Sequence, residues 1–192
     1  MMTEPTLPAR ERILETAASL FYREGFRAVG IDTIIAESGV AKMTLYRHYP
    51  SKDDLIVAYL ERAHTKFWQA IQQAIAPYAG QPVRQLEAIF EWVAHIAISP
   101  TCLGCTFMGA ANEFPELTHQ GHQVGLAHKR AVLNLLAELA AEAEARQPTV
   151  LAAQLLLLMD GAWNAARMFG PGNHGAEAAS AAQTLIAAQT HV

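Results

Sequence analysis

The chain is expected to be all-α. Three observations carry this reading. Apolar residues recur at the helical period along most of the length, no alternating strand pattern of useful length occurs, and glycines and prolines cluster between the periodic segments. At 192 residues with 52% apolar side chains and a mean hydropathy of +0.11, the chain can bury ample core and is too apolar for disorder.

The elements follow in order. Pro8 suits the first turn of a helix on which Ile13, Leu14, Ala17, Leu20 and Phe21 share one face. Gly25 ends it, and Phe26 folds back as a C-terminal apolar contact. Gly30 precedes a second helix with Asp32 in its first turn and Ile31, Ile34 and Ile35 as its inner face. Gly39 supplies the left-handed turn residue that two nearly perpendicular helices require. A short third helix follows and Pro50 stops it. Ser51 and Asp54 make a capping box for a long helix from about Lys52 to Ala76. Beyond the loop marked by Pro77, Gly80 and Pro82, helices are expected over Val83–Ile98, Leu103–Glu113 and Glu116–Arg146. Two more are expected, one capped by Thr149 and running to Phe169 and one over Ala176–Gln189. That makes about nine helices.

Composition removes several classes. The richest apolar stretch, Val150–Met159, stops at Asp160, too short for a bilayer. The opening MMTEPTLPARER has no secretory core, so a cytoplasmic protein without membrane contact is expected. Catalysis finds no support, because there is no glycine-rich phosphate loop, no GxSxG and no HExxH; no enzyme activity and no cofactor are expected. The net charge of −4 and pI near 6.0 weigh mildly against nucleic-acid binding. Placement matters more than total, and Lys42, Arg47 and Lys52 fall within one short segment.

That segment, IDTIIAESGVAKMTLYRHYPSK over Ile31–Lys52, is the most informative part of the chain. It reads as two short helices joined at Gly39-Val40. The second carries Lys42, Thr44, Tyr46, Arg47 and His48 around the single apolar anchor Leu45. So short a helix cannot bury those polar groups, and phosphate or base edges are their natural partners. Leu45 and Tyr49 lie four apart and both can face a core.

The run GVAKMTLYRHYPSKDDL resembles the helix-turn-helix signature of the TetR family of bacterial transcriptional regulators. The layout resembles it as well. It implies an N-terminal three-helix DNA-binding domain over residues 1–55 and a larger helical effector-binding and dimerisation domain over residues 56–192. One departure stands out. The recognition helix opens on Ala41 where the family has a serine or threonine cap, a loss of roughly 1 kcal/mol of helix stability. Lys42 and Met43 are then expected at the groove-entering end, Lys42 on phosphate or guanine and Met43 on a thymine methyl. Thr44 offers a hydroxyl. Tyr46 and His48 resemble the family's backbone-clamping groups, and Arg47 adds charge. Lys52, and Thr33 early in the second helix, are placed for phosphate contact. The resemblance implies a homodimer on a pseudo-palindromic DNA operator, acting as a repressor that a small-molecule effector releases.

In the second domain, large side chains at helical spacing read as core or as a cavity lining. Trp68, Phe90, His95, Phe107, Met108, Asn112, Met159 and Trp163 are the candidates for the effector. The alternative function comes from Cys102-Leu-Gly-Cys105, with His119 and His122 downstream. These are ligand types that zinc favours, or a dithiol switch, which would make the chain a zinc or thiol-redox sensor. The spacing His119-x-x-His122 is short for a zinc finger, and buried thiols with exposed histidines explain the same residues.

Overall fold

The computed structural model describes residues 7–190, all of them in helices, turns and loops, with no strand among them. Nine α-helices are described: α1 (Ala9–Glu24), α2 (Ile31–Ser38), α3 (Lys42–His48), α4 (Lys52–Ile75), α5 (Pro82–Ala97), α6 (Thr106–Glu113), α7 (Gln120–Glu142), α8 (Pro148–Phe169) and α9 (Glu177–Gln189). Short 3₁₀ turns at Ala76–Tyr78 and His174–Ala176 follow α4 and precede α9. Contacts divide the chain into two compact units. Among the described residues, one holds 7–64 together with Thr106–Leu126, and the other holds Thr65–Cys105 and 127–190. Helices α4 and α7 each supply residues to both.

In the first unit, α1 presents Ile13, Leu14, Ala17, Leu20 and Phe21 to the interior, the face that the helical period picks out. Its last turn closes on Gly25, and Phe26 returns to lie 5.4 Å from Phe21, ring centre to ring centre. On α2 only Ile34 is fully buried among the three isoleucines; Ile31 and Ile35 are half-buried, because an eight-residue helix touching α1 and α3 has room for one inward side chain per turn. Gly39 takes φ +65°, and its N–H bonds the Ile35 carbonyl at 3.1 Å, so the turn into α3 uses the left-handed region open to glycine. Ser51 caps the start of α4 as its spacing predicts, without the return bond from Asp54 to the Ser51 N–H that completes a capping box. The Asp54 N–H donates to Ser51 Oγ at 3.0 Å, and that hydroxyl donates to the Asp54 carboxylate at 2.6 Å.

The second unit is a bundle of α5, α8 and α9 with parts of α4 and α7. Leu86, Phe90 and Val93 of α5, Leu136 of α7, Leu151, Leu155 and Met159 of α8, and Ala182 and Ile186 of α9 share its core. Alanines at 178 and 182 let α9 lie close to α5 and α8. Helix α8 starts at Pro148, which fits the first helical position, so Thr149 lies inside it and does not cap it. By length and composition α8 also reaches the range of a membrane-crossing helix, which the short run Val150–Met159 did not foretell. Its inner face is core: Leu151, Leu155, Met159 and Trp163 are buried.

The turn GPGNHG is held by one side chain. Asn173 donates to the carbonyls of Ala97 at 2.9 Å and Gly170 at 2.8 Å, and accepts from the Gly175 N–H at 2.7 Å. Asn173→Ala leaves a buried donor and acceptor without partners, and is expected to lower stability by about 2–4 kcal/mol in urea denaturation. A change below about 0.5 kcal/mol, the level of an ordinary surface substitution, would contradict this role.

Candidate nucleic-acid interface

Helix α3 is seven residues long and is anchored from one side. Leu45 is 0% exposed, and Tyr49, just past the helix end, is 3% exposed. The Tyr49 hydroxyl donates to the Arg10 carbonyl at 3.3 Å, tying the end of α3 to α1, and the Arg10 guanidinium lies over its ring at 5.6 Å. Burial raises the Tyr49 phenol above its usual range, so it stays a neutral donor. The rest of the helix is turned outward. Met43 is 81% exposed, Tyr46 is 38% exposed, and Lys42 and Arg47 are also exposed; Thr44 and His48 are half-buried. Ala41 precedes α3 with no side-chain cap, and Gly30 precedes α2 likewise. The first amides of both helices therefore lack the side-chain oxygen that usually satisfies them.

The flanking candidates lie in the same unit. Thr33 is exposed in the first turn of α2. Lys52 opens α4 half-buried; burial lowers its ammonium below the usual lysine range, and the charges of Glu113 and Asp53 oppose that effect. The Lys42 ammonium donates to Asp32 at 3.4 Å, with both groups well exposed. A solvent-exposed pair of this kind contributes at most about 1 kcal/mol, little enough to give way to a phosphate. In the sequence Asp32 reads only as a helix-dipole partner, because a pairing ten residues apart across a turn leaves no local pattern.

The second-domain candidates divide between the two units. Phe90, Met159 and Trp163 lie in the core of the second unit, with Trp68 half-buried against it and His95 exposed. Phe67, on the same turn of α4 as Trp68, packs edge-on to Trp68, Trp92 and the buried His128 at 5.7, 5.5 and 4.8 Å, and Trp92 meets Trp163 at 5.9 Å. Phe67 was not among the expected residues, since nothing local distinguishes it from plain core, whereas His128, downstream of the Cys102-Cys105 pair, is buried among aromatic rings. Phe107, Met108 and Asn112 belong to the first unit, where Phe107 is buried and Asn112 exposed.

Cys102 is a buried free thiol and Cys105 a half-buried one. His119 accepts the Gly121 N–H on Nδ1 at 3.1 Å, stacks on Phe114 at 4.0 Å and approaches Asp53 at 3.8 Å; His122 is bonded to the Phe114 carbonyl at 2.8 Å. The two cysteines are in the second unit and the two histidines in the first, and among the described residues no three metal-ligating side chains gather. The zinc or thiol-sensor alternative is therefore not favoured.

An outward-facing short helix, pinned by one leucine and carried behind a glycine turn by two other helices, defines a helix-turn-helix protein. Comparison with known proteins agrees. Residues 13–59 match the family described as bacterial regulatory proteins, tetR family. The structure superposes on a TetR-family transcriptional regulator from Streptomyces coelicolor with a TM-score of 0.84 at 32% identity, covering 94% of this chain and 93% of that one. A TetR-type regulator from Streptomyces avermitilis is similar with a TM-score of 0.80 at 28% identity, covering 95% and 98%. Among curated relatives, the transcriptional activator FasR of Mycolicibacterium smegmatis is 33% identical over 95 residues, which is 46% of this chain and 43% of that protein. The chain spans less than half the length of the curated relatives it matches. The chain belongs to the TetR family of bacterial transcriptional regulators.

Proposed function

We propose that this regulator is a homodimeric repressor that binds a pseudo-palindromic operator and leaves it when a small molecule occupies the second domain. Operator reading is assigned to residues 1–55, and effector binding and dimerisation to residues 56–192. The observation that carries the reading is the exposure of Met43, Tyr46 and Arg47 on a helix whose Leu45 is fully buried. Lys42, Met43 and Thr44 meet base edges or the nearest phosphates, and Thr33, Tyr46, Arg47, His48 and Lys52 hold the backbone.

Dimerisation is supported by an outer face of α8. Val150, Leu157, Gly161, Asn164 and Met168 are all exposed and share one stripe, with Leu157 at 73% and Met168 at 70%. A second copy of α8 and α9 would cover it as a four-helix contact. The effector site is assigned to the second unit, to the half-buried and buried side chains Trp68, Phe90, Met159 and Trp163 with His95 as a polar group; Phe107, Met108 and Asn112 of the first unit are separate candidates. By linkage, effector and operator weaken each other by the same factor.

Selection of bound fragments from random duplexes tests this directly. The expected product is two inverted half-sites about one helical turn apart. Recovery of no common sequence would count against the reading. Because FasR is named an activator, activation by the same contact is the second reading, and a promoter reporter separates the two by the sign of its response. Lys52→Ala is expected to reduce the salt slope of operator binding by about one unit, as one phosphate contact is lost. An unchanged slope would remove Lys52 from the contact set.

A further inference from the structure

The first unit contains a segment far away in sequence, Thr106–Leu126, and Glu113 and Phe114 of that segment meet the turn between α1 and α2. Glu113, the last residue of α6, points both carboxylate oxygens at that turn. Oε1 accepts the Phe26 N–H at 2.9 Å and Oε2 accepts the Arg27 N–H at 2.6 Å. The fit is close, since a Cβ on Gly25 would lie 2.8 Å from Glu113 Oε1, and Gly25 stands at φ +91°. The next residue acts on the same place: Phe114 packs on Phe26 at 5.8 Å, and the Arg27 guanidinium lies over the Phe114 ring at 5.6 Å.

We propose that Glu113 is a positioning residue for operator recognition: its carboxylate fixes the Phe26–Arg27 turn and so sets the angle at which α2 and the recognition helix α3 are presented. The proposal rests on the operator-binding reading above. Three features make the turn decisive. Only six residues separate α1 from α2. Gly30 gives α2 no side-chain cap. Helix α3 follows α2 through a single left-handed glycine. An ionised carboxylate can accept both N–H groups at once, whereas an amide in its place turns an N–H₂ toward one of them.

A merely structural role would lower affinity for every duplex together with stability. A positioning role lowers the discrimination between sequences, because non-specific binding depends on phosphate contacts and tolerates a changed angle. The test compares the full chain with Glu113→Gln by fluorescence anisotropy, on the operator recovered by selection and on a random duplex of equal length. Operator affinity is expected to fall about tenfold relative to random-duplex affinity; a lower melting temperature accompanies it, since one turn N–H loses its acceptor, and only the ratio of the two affinities separates the roles. Equal loss on both duplexes, or no loss on the operator, would overturn the proposal. If the variant does not fold, hydrogen exchange on the parent chain decides. The operator is expected to slow exchange of the Phe26 and Arg27 amides more than the random duplex does, and equal protection by both would overturn the proposal. A parent chain that binds neither duplex removes the operator reading itself, an outcome distinct from a parent that discriminates and a variant that does so equally well.

Discussion

Leu45→Ala is expected to abolish operator binding while lowering stability by about 2–5 kcal/mol. Leu45 is the one fully buried side chain of α3, and it holds a seven-residue helix that no side chain caps at its start. A helix of this length has little stability of its own, so its order comes from the packed face. Removing the leucine opens a cavity beneath the helix and frees the backbone that presents Lys42, Met43, Tyr46 and Arg47. Urea denaturation gives the stability change and a gel shift gives the binding. Retained operator affinity in the variant would mean that α3 does not read DNA.

The second large effect separates contact from packing. Tyr46→Ala is expected to weaken operator binding about 10- to 100-fold, the range for losing a hydrogen bond to a charged group. Its stability is expected to stay within about 0.5 kcal/mol of the parent, as for surface changes generally. Tyr46 sits one residue after the buried Leu45, about 100° round the helix from it, with 38% of its surface exposed. Anisotropy titration with a melting curve on the same sample checks both halves. A large drop in melting temperature with unchanged affinity would reverse the assigned roles of Tyr46 and Leu45.

How much of this was legible in the chain depends on the range of each interaction. The Gly39 turn and the Ser51–Asp54 cap rest on neighbours within a turn, and the inward face of α1 and the inward Leu45 and Tyr49 follow the helical spacing, so these were expressed directly, although the partner that receives the Tyr49 hydroxyl, Arg10, lies 39 residues away. Boundaries set by competition between neighbouring starts were harder. Helix α6 begins at Thr106, three residues later than expected, after Gly104 at φ +93°, and α8 begins at Pro148 although Thr149 is the better capping type. Contacts between distant segments left no trace. Glu113 reads as the end of a short helix before Pro115, and nothing local announces that its carboxylate meets the amides of Phe26 and Arg27. Burial likewise followed tertiary contact over period, as Ile31 and Ile35 are half-covered while Ile34 alone is enclosed.

The central claim is that α3 carries a sequence-reading, charge-assisted contact to duplex DNA. The most direct measurement is the salt dependence of binding to the selected operator beside a scrambled duplex of the same composition. Affinity is expected to fall steeply and linearly on logarithmic axes as salt rises, with the operator at least about 1,000-fold tighter than the scramble, the lower end for specific binders. Binding that ignores salt, or equal affinity for both duplexes at every salt concentration, would contradict it.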